Sequence, residues 1–286
     1  MMRPMAKQKA AMPASAPAPL PYPAGAQARR QGLLPHLGYV FKAMRPRQWT
    51  KNGIVFLALV FSINQEYRVG EPDVWFPHLL ESIVAFICFA LVSSADYLVN
   101  DIRDIESDRA HPRKSKRPIP AGQLSVQSAW IWALVLGIIG NAAAFALDPR
   151  VGLVVLAYTL LMLAYSFKLK HIVLIDLFVI AAGFVLRAMG GALAIDVPIS
   201  PWRYGVTALG ALFLGINKRR AELELLQEGA GSHRKILDEY SLGLLDQFAL
   251  HTLGLFELGV QSRKVLTATR LKLGACLREA LPDRVG

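Results

Sequence analysis

The sequence predicts an all-α, polytopic transmembrane helix bundle, and three observations carry that reading. Of its 286 residues 53% are hydrophobic and only 19% charged, with a mean hydropathy of +0.35; a soluble domain carries about 25% charged residues. Several apolar runs continue long enough to cross a bilayer. The net charge of +11, from 32 Lys and Arg against 21 Asp and Glu, sits between those runs. In a nucleic-acid binder it would gather on one solvated face, so that class is excluded.

Residues 1–38 are rich in Ala, Pro and Gln, with too little apolar bulk to offset the entropy of ordering, and read as a disordered tail. They lack the continuous apolar core of a secretory signal. Six apolar runs follow: Gly53 to Ile63, Leu79 to Val99, Ala129 to Leu147, Val151 to Tyr165, Ile172 to Ile195 and Tyr204 to Ile216. Each is read as a helix. The first and last fall short of the ~20 residues of a straight span, so they extend into neighbours such as Trp49 and Asn217. The transmembrane domain is placed at 39–250, with no soluble domain inserted. Residues 251–286 contain no spanning run and carry Arg263, Lys264, Arg270, Lys272, Arg278 and Arg284, which reads as a basic, non-spanning tail. A weaker seventh helix around Leu242 to Val260 would have to bury Asp246, His251 and Glu257. Cys88 and Cys276 suggest neither a disulfide framework nor a metal knuckle.

Basic residues concentrate in every second connection. Lys42, Arg45, Arg47 and Lys51 precede the first run, and Arg103, Arg109, Arg113, Lys114, Lys116 and Arg117 follow the second. Lys168 and Lys170 follow the fourth, and Lys218, Arg219, Arg220, Arg234 and Lys235 the sixth. The intervening connections hold Arg68, Arg150 and Arg203 alone. The rich side is assigned to the cytoplasm, together with the N-terminus and the longer loops.

The strongest chemical signal is Asn100-Asp101-Ile102-Arg103-Asp104-Ile105-Glu106-Ser107-Asp108, directly after the second run. On one continuous helix Asp101, Asp104 and Asp108 would lie within about 60° of one another, with Asn100 near the same face. Three carboxylates so placed repel one another unless a cation lies between them, and an all-oxygen set favours Mg²⁺. A metal-bound diphosphate would suit them; a solvated helix end balanced by Arg103 and Arg109 is the plainer reading. The proline-stiffened loop from His111 to Pro120 adds cations suited to polyphosphate, Lys114 and Arg117 foremost, although such a loop can also only set topology.

Asp176 and Arg187 lie inside the fifth run, where an ionisable group costs about 2.5–3.5 kcal/mol on insertion scales and usually faces a cavity. Eleven positions apart, they share a face to within about 20° but lie about 16 Å apart along the axis. Both are expected to line one cavity without pairing, with a capping role the alternative for Asp176; His171 reads as interfacial. Lys218 or Arg219 would reach the same mouth, with Glu222 as partner, unless the segment only complements a helix C-terminus.

Taken together, the pattern resembles the UbiA-type intramembrane prenyltransferases, whose first signature is an Asn-Asp followed by aspartates at this spacing. Five segments in order resemble the decaprenyl-phosphate phosphoribosyltransferase branch: Arg45 to Asn52, Tyr97 to Asp101, Arg117-Pro118-Ile119, Tyr165-Ser166 through Lys170, and Phe184 to Ala188. The resemblance runs from about Met44 to about Gln247. It implies transfer of the phosphoribosyl unit of phosphoribosyl pyrophosphate to a polyprenyl phosphate at a bacterial inner membrane, feeding arabinan precursors of the cell wall. It implies Mg²⁺ on Asp101, Asp104 and Asp108 beside Asn100, and phosphate contacts from Lys51, Asn52, Arg117, Lys168 and Lys170. Tyr165 belongs to a resembling segment, and Asp176 stands where the second acidic motif of the superfamily begins. Aromatic prenyltransferases carry Asp-x-x-x-Asp there, whereas position 180 is Ile. The superfamily has about nine transmembrane helices against six clear ones here, so a divergent or shortened C-terminal part is expected. Two alternatives use the same residues: an aromatic prenyltransferase acting with a polyprenyl diphosphate, and a non-catalytic binder of polyprenyl phosphates.

Overall fold

A computed structural model describes residues 32–63, 67, 68, 70, 72–198, 201–227, 241–259 and 261. Most of the expected N-terminal tail, Arg234, Lys235, Cys276 and the bases from Arg263 onward lie outside these residues. Among the described residues there is no strand beyond one isolated bridge, Ile63 with Tyr67. The helices are α1 (Leu33–Ala43), α2 (Leu57–Ser62), α3 (Pro72–Arg103), α4 (Ile105–Ala110), α5 (Val126–Leu147), α6 (Pro149–Phe167), α7 (Ile175–Ala194), α8 (Pro201–Gln227) and α9 (242–259). A 3₁₀ stretch, Pro46–Phe56, leads into α2.

Four helices, α3, α5, α6 and α7, are long and apolar enough to cross a membrane. They are the second to fifth expected runs, and their outward rows, such as Ile131, Leu134 and Ile138 of α5, expose large apolar side chains, as a lipid-facing surface requires. The first run differs from the expected single helix. It is 3₁₀ up to Phe56 and α-helical only from Leu57 to Ser62, and it packs on α7. The sixth run lies inside α8, which extends through the basic segment.

The ends of these helices follow local chemistry. Ser125 caps α5 by accepting from the Ser128 N–H at 3.1 Å, and Asp148 caps α6 by accepting from the Arg150 N–H at 2.6 Å, with Pro149 at the first helical position. Arg150 also reaches Asp148 and Asp196 at 2.9 Å each, tying the α5–α6 turn to the end of α7.

Close helix contact rests on small residues, because lipid offers no hydrophobic drive for helices to associate. A Cβ on Gly140 of α5 would lie 2.8 Å from Val92 of α3, and one on Gly191 of α7 would lie 2.0 Å from the Val55 carbonyl oxygen. Phe89 and Val92 of α3, Val151, Val155 and Tyr158 of α6, and Val55 form one buried cluster. A second joins α1, α3, α5 and the loop residues Ile119 and Leu124. A third joins α7, α8 and Leu245 of α9.

The seventh helix does form, and the boundary set at residue 250 falls inside it. It does not bury its charges as feared. Leu245 goes inward, Asp246 pairs with Arg220 Nε at 2.5 Å, and His251 and Glu257 stay exposed.

Candidate active site

The C-terminal ends of α3, α6 and α8 and the N-terminal ends of α5 and α7 come together at one end of the bundle, as antiparallel succession dictates. A cavity of about 340 Å³ opens among α3, α6, α7, α8 and the 3₁₀ stretch. Its wall carries Arg45, Lys51, Arg187, Lys218 and Arg219 against a single carboxylate, Asp96, together with Asn100, Tyr97, Tyr158 and Tyr165. Five cations around one acid make a receptor for a polyanion.

Two non-glycine residues at this end hold left-handed backbone. Arg45 at the start of the 3₁₀ stretch has φ 55° and Leu174 before α7 has φ 64°. Left-handed backbone at non-glycine residues costs on the order of 1–3 kcal/mol and persists only where its surroundings hold it. Trp49 Nε1 donates to Ser94 Oγ at 3.1 Å, and Ser94 Oγ to the Met44 carbonyl at 3.3 Å, pinning the turn around Arg45 to α3.

The three signature carboxylates come from two helices and the turn between them, and helical hydrogen bonds from the Asp104 N–H to the Asn100 carbonyl and from the Asp108 N–H to the Asp104 carbonyl run across that turn. Helix α3 ends at Arg103, Asp104 is a turn residue, and Asp108 belongs to α4. Each carboxylate is already paired. Arg117 Nη1 lies between Asp101 Oδ1 at 3.1 Å and Asp108 Oδ2 at 2.6 Å. Arg45 also bonds Asp101, Lys114 approaches Asp108 at 3.6 Å, and Lys170 Nζ meets Asp104 at 2.5 Å and Asn100 Oδ1 at 3.3 Å. The cation that mutual repulsion demands is a guanidinium. Among the described residues no three acidic, His or Cys side chains are grouped to hold a metal ion. The donor chemistry nevertheless fits Mg²⁺: Asp101, 1% exposed, keeps its Oδ2 buried without a hydrogen-bond partner.

The remaining expected residues divide. Lys51, Asn100, Tyr165, Arg187 and Lys218 line the cavity. Asn52 is buried behind it, accepting from Arg187 Nε at 2.7 Å and donating to Ser93 Oγ at 3.4 Å. Arg187 Nη2 donates to the Tyr158 hydroxyl at 2.6 Å and its guanidinium lies over the Tyr158 ring. Asp176 is a correction. It is 0% exposed and holds Arg219 through contacts of 2.9 and 2.8 Å, so it positions a cavity cation and does not line the cavity with Arg187. Arg219 from α8 lies within bonding reach of Asp176 and occupies that part of the wall. Lys168 is exposed and does not line the cavity.

Sequence reasoning missed Asp96, Tyr97 and Tyr158. Asp96 carried a usable signal, an acid inside an apolar run, and Tyr97 opens one of the five resembling segments; Tyr158 carried none. Lys51 precedes the first run; desolvation of its ammonium by burial, then the charges of Lys218, Arg187 and Arg45, push it down to about 8.

A profile of the UbiA prenyltransferase family matches residues 73–218. The chain belongs to this family. Decaprenyl-phosphate phosphoribosyltransferase of Mycobacterium tuberculosis is 40% identical over 71% of the chain and 66% of its own length. The enzyme of the same name from Corynebacterium glutamicum is 37% identical over 71% of the chain and 60% of its length. The matched part thus spans less than two thirds of either relative. A UbiA homologue from Archaeoglobus fulgidus bound to DMAPP and Mg²⁺ superposes with a TM-score of 0.60 at 17% identity, over 86% of this chain and 88% of that one. That likeness establishes the UbiA fold. With four helices long and apolar enough to cross a membrane among the described residues, this UbiA chain is a multi-pass membrane protein.

Proposed function

We propose that this chain transfers the 5-phosphoribosyl group of phosphoribosyl pyrophosphate to a polyprenyl phosphate and releases diphosphate. The observation that carries the reading is the cavity wall, where Arg45, Lys51, Arg187, Lys218 and Arg219 surround one carboxylate. A donor with a diphosphate and a separate phosphate suits such a wall, and so does an ionised acceptor. The names of the relatives support the same choice.

The acceptor phosphate oxygen attacks the anomeric carbon as the bond from that carbon to the diphosphate oxygen breaks. The acceptor is already ionised near neutral pH and needs no general base. Charge gathers on the departing diphosphate, where fixed cations stabilise it. Arg187, locked by Asn52 and Tyr158, holds its guanidinium in place without reorganisation. Asp101, Asp104 and Asp108, beside Asn100, would hold Mg²⁺, which supplies a Lewis acid at the leaving group. Ile180 in the wall offers no second acidic pair, against an aromatic prenyltransferase. The distribution of bases supports a site facing the cytoplasm, and the bacterial sources of the relatives support a bacterial inner membrane.

The test is a mass-resolved product assay on purified protein with polyprenyl phosphate, phosphoribosyl pyrophosphate and Mg²⁺. A phosphoribosylated lipid, inverted at the anomeric carbon and lost in Asp101→Ala and Asp104→Ala, is expected. Absence of that lipid with folded wild-type protein overturns the reading, and retained configuration overturns direct displacement.

A further inference from the structure

A second cavity, about 200 Å³, lies on the other side of Arg45. Its wall comprises Lys42 and Ala43 of α1, Arg45, Asp101, and Arg113, Lys116, Arg117 and Pro118 of the basic loop. Five cations again face one carboxylate, and that carboxylate is already matched by Arg45 and Arg117. Lys42, Arg113 and Lys116 make no side-chain ion pair or hydrogen bond among the described residues. Residues 1–31 contain no Asp or Glu to neutralise them.

Helix α1 supplies the second, independent observation. Leu33, Leu34, Leu37 and Phe41 fall within about 100° of one another, and all are exposed, Leu33 at 73% and Leu34 at 82%. Val40 and Ala43 lie inward, and His36 on that side is 3.0 Å from Ser128 Oγ and accepts from Trp132 Nε1 at 3.3 Å. A helix held by one edge, apolar on its free edge and carrying Lys42 in its last turn, is built to lie in the membrane interface. Its apolar row places the cavity wall at the level of lipid headgroups.

We propose that this second cavity binds the phosphate headgroup of a membrane lipid, held by Lys42, Arg113 and Lys116 with Arg45 as the partition to the larger cavity. The shared chemistry is an anionic phosphate on an acyl or prenyl tail, which polyprenyl phosphates and acidic phospholipids both offer. A soluble phosphate would have no use for the apolar row of α1. A phosphate in this cavity would compete with Asp101 for Arg45, so occupancy here alters a cation that also lines the larger cavity.

The test uses the full chain in detergent, preloaded separately with polyprenyl phosphate, phosphatidylglycerol or phosphatidylcholine, washed, and analysed by native mass spectrometry. The comparison is between wild type, K42Q/R113Q/K116Q and the charge-preserving K42R/R113K/K116R. All three positions are exposed, and thermal melting checks that the fold survives. The Gln variant is expected to lose acidic-lipid retention by at least about tenfold, while the charge-preserving variant and phosphatidylcholine retention are unchanged. Preference for polyprenyl phosphate over phosphatidylglycerol identifies the acceptor as the source, and equal retention identifies a general acidic-headgroup site; both support the proposal. Equal acidic-lipid retention by wild type and the Gln variant overturns it. Retention is read without turnover, so a failed transfer reaction overturns the proposed function and leaves this result standing.

Discussion

A guanidinium between two carboxylates differs from a metal ion in the same place. Arg117 neutralises Asp101 and Asp108 through one nitrogen, leaving Asp101 Oδ2 without a partner. The pairing keeps the cluster from repelling itself apart without imposing a coordination shell. Asp176 belongs to a different kind of group, buried against Arg219, which also pairs with Glu222 at 2.6 Å. Asp176→Asn leaves Arg219 paired with Glu222 but removes its buried partner, and is therefore expected to cost about 1–3 kcal/mol of stability, seen as a lower melting temperature in detergent. A rate loss with unchanged melting would return Asp176 to the chemistry. Lys51 titrates near 8 against 10.5 for a free lysine. Below about 8 it is a cation, so affinity for the anionic donor is expected to fall as pH rises from 7 to 9. Lys51→Arg should flatten that profile. The linkage sign for stability is opposite: between 8 and 10.5 the unfolded chain holds the extra proton, so this group's contribution rises with pH.

At the scale of elements, two departures from helical regularity shape the site. The 3₁₀ stretch reaches α7 only because Gly191 has no Cβ to meet the Val55 carbonyl. Gly191→Ala is expected to lose about 1–3 kcal/mol, since a backbone carbonyl cannot rotate aside as a side chain can, and to displace Asn52 from Arg187. Thermal melting together with donor affinity checks both. The break at Asp104 divides a predicted single helix into two, while Arg117 still reaches both Asp101 and Asp108. Periodicity could not disclose it, because each carboxylate follows whichever arginine or lysine the fold brings near. Helix α9 was legible as an apolar pattern, yet its charges made it doubtful. Arg220, distant in sequence, answers Asp246.

Across the whole molecule, charge segregates by end, with cation-rich connections gathered where both cavities open. Removing divalent cations with EDTA is expected to lower transfer at least about hundredfold and to leave acidic-lipid retention unchanged; undiminished transfer in EDTA would exclude Mg²⁺ from the chemistry. The sequence by itself determined that the chain is helical and membrane-crossing, because length, hydropathy and the placement of bases are local properties that no packing reverses. It also marked Asn100, Lys51, Tyr165, Arg187 and Lys218, each of which lines the cavity. Only the tertiary structure decided which charges pair. It joined Asp176 to Arg219, set Arg117 between two aspartates, and placed Asp96 and Tyr158 in the wall. Electrostatic partners are chosen by proximity in space, and that proximity follows from glycine-mediated packing between helices distant in the chain.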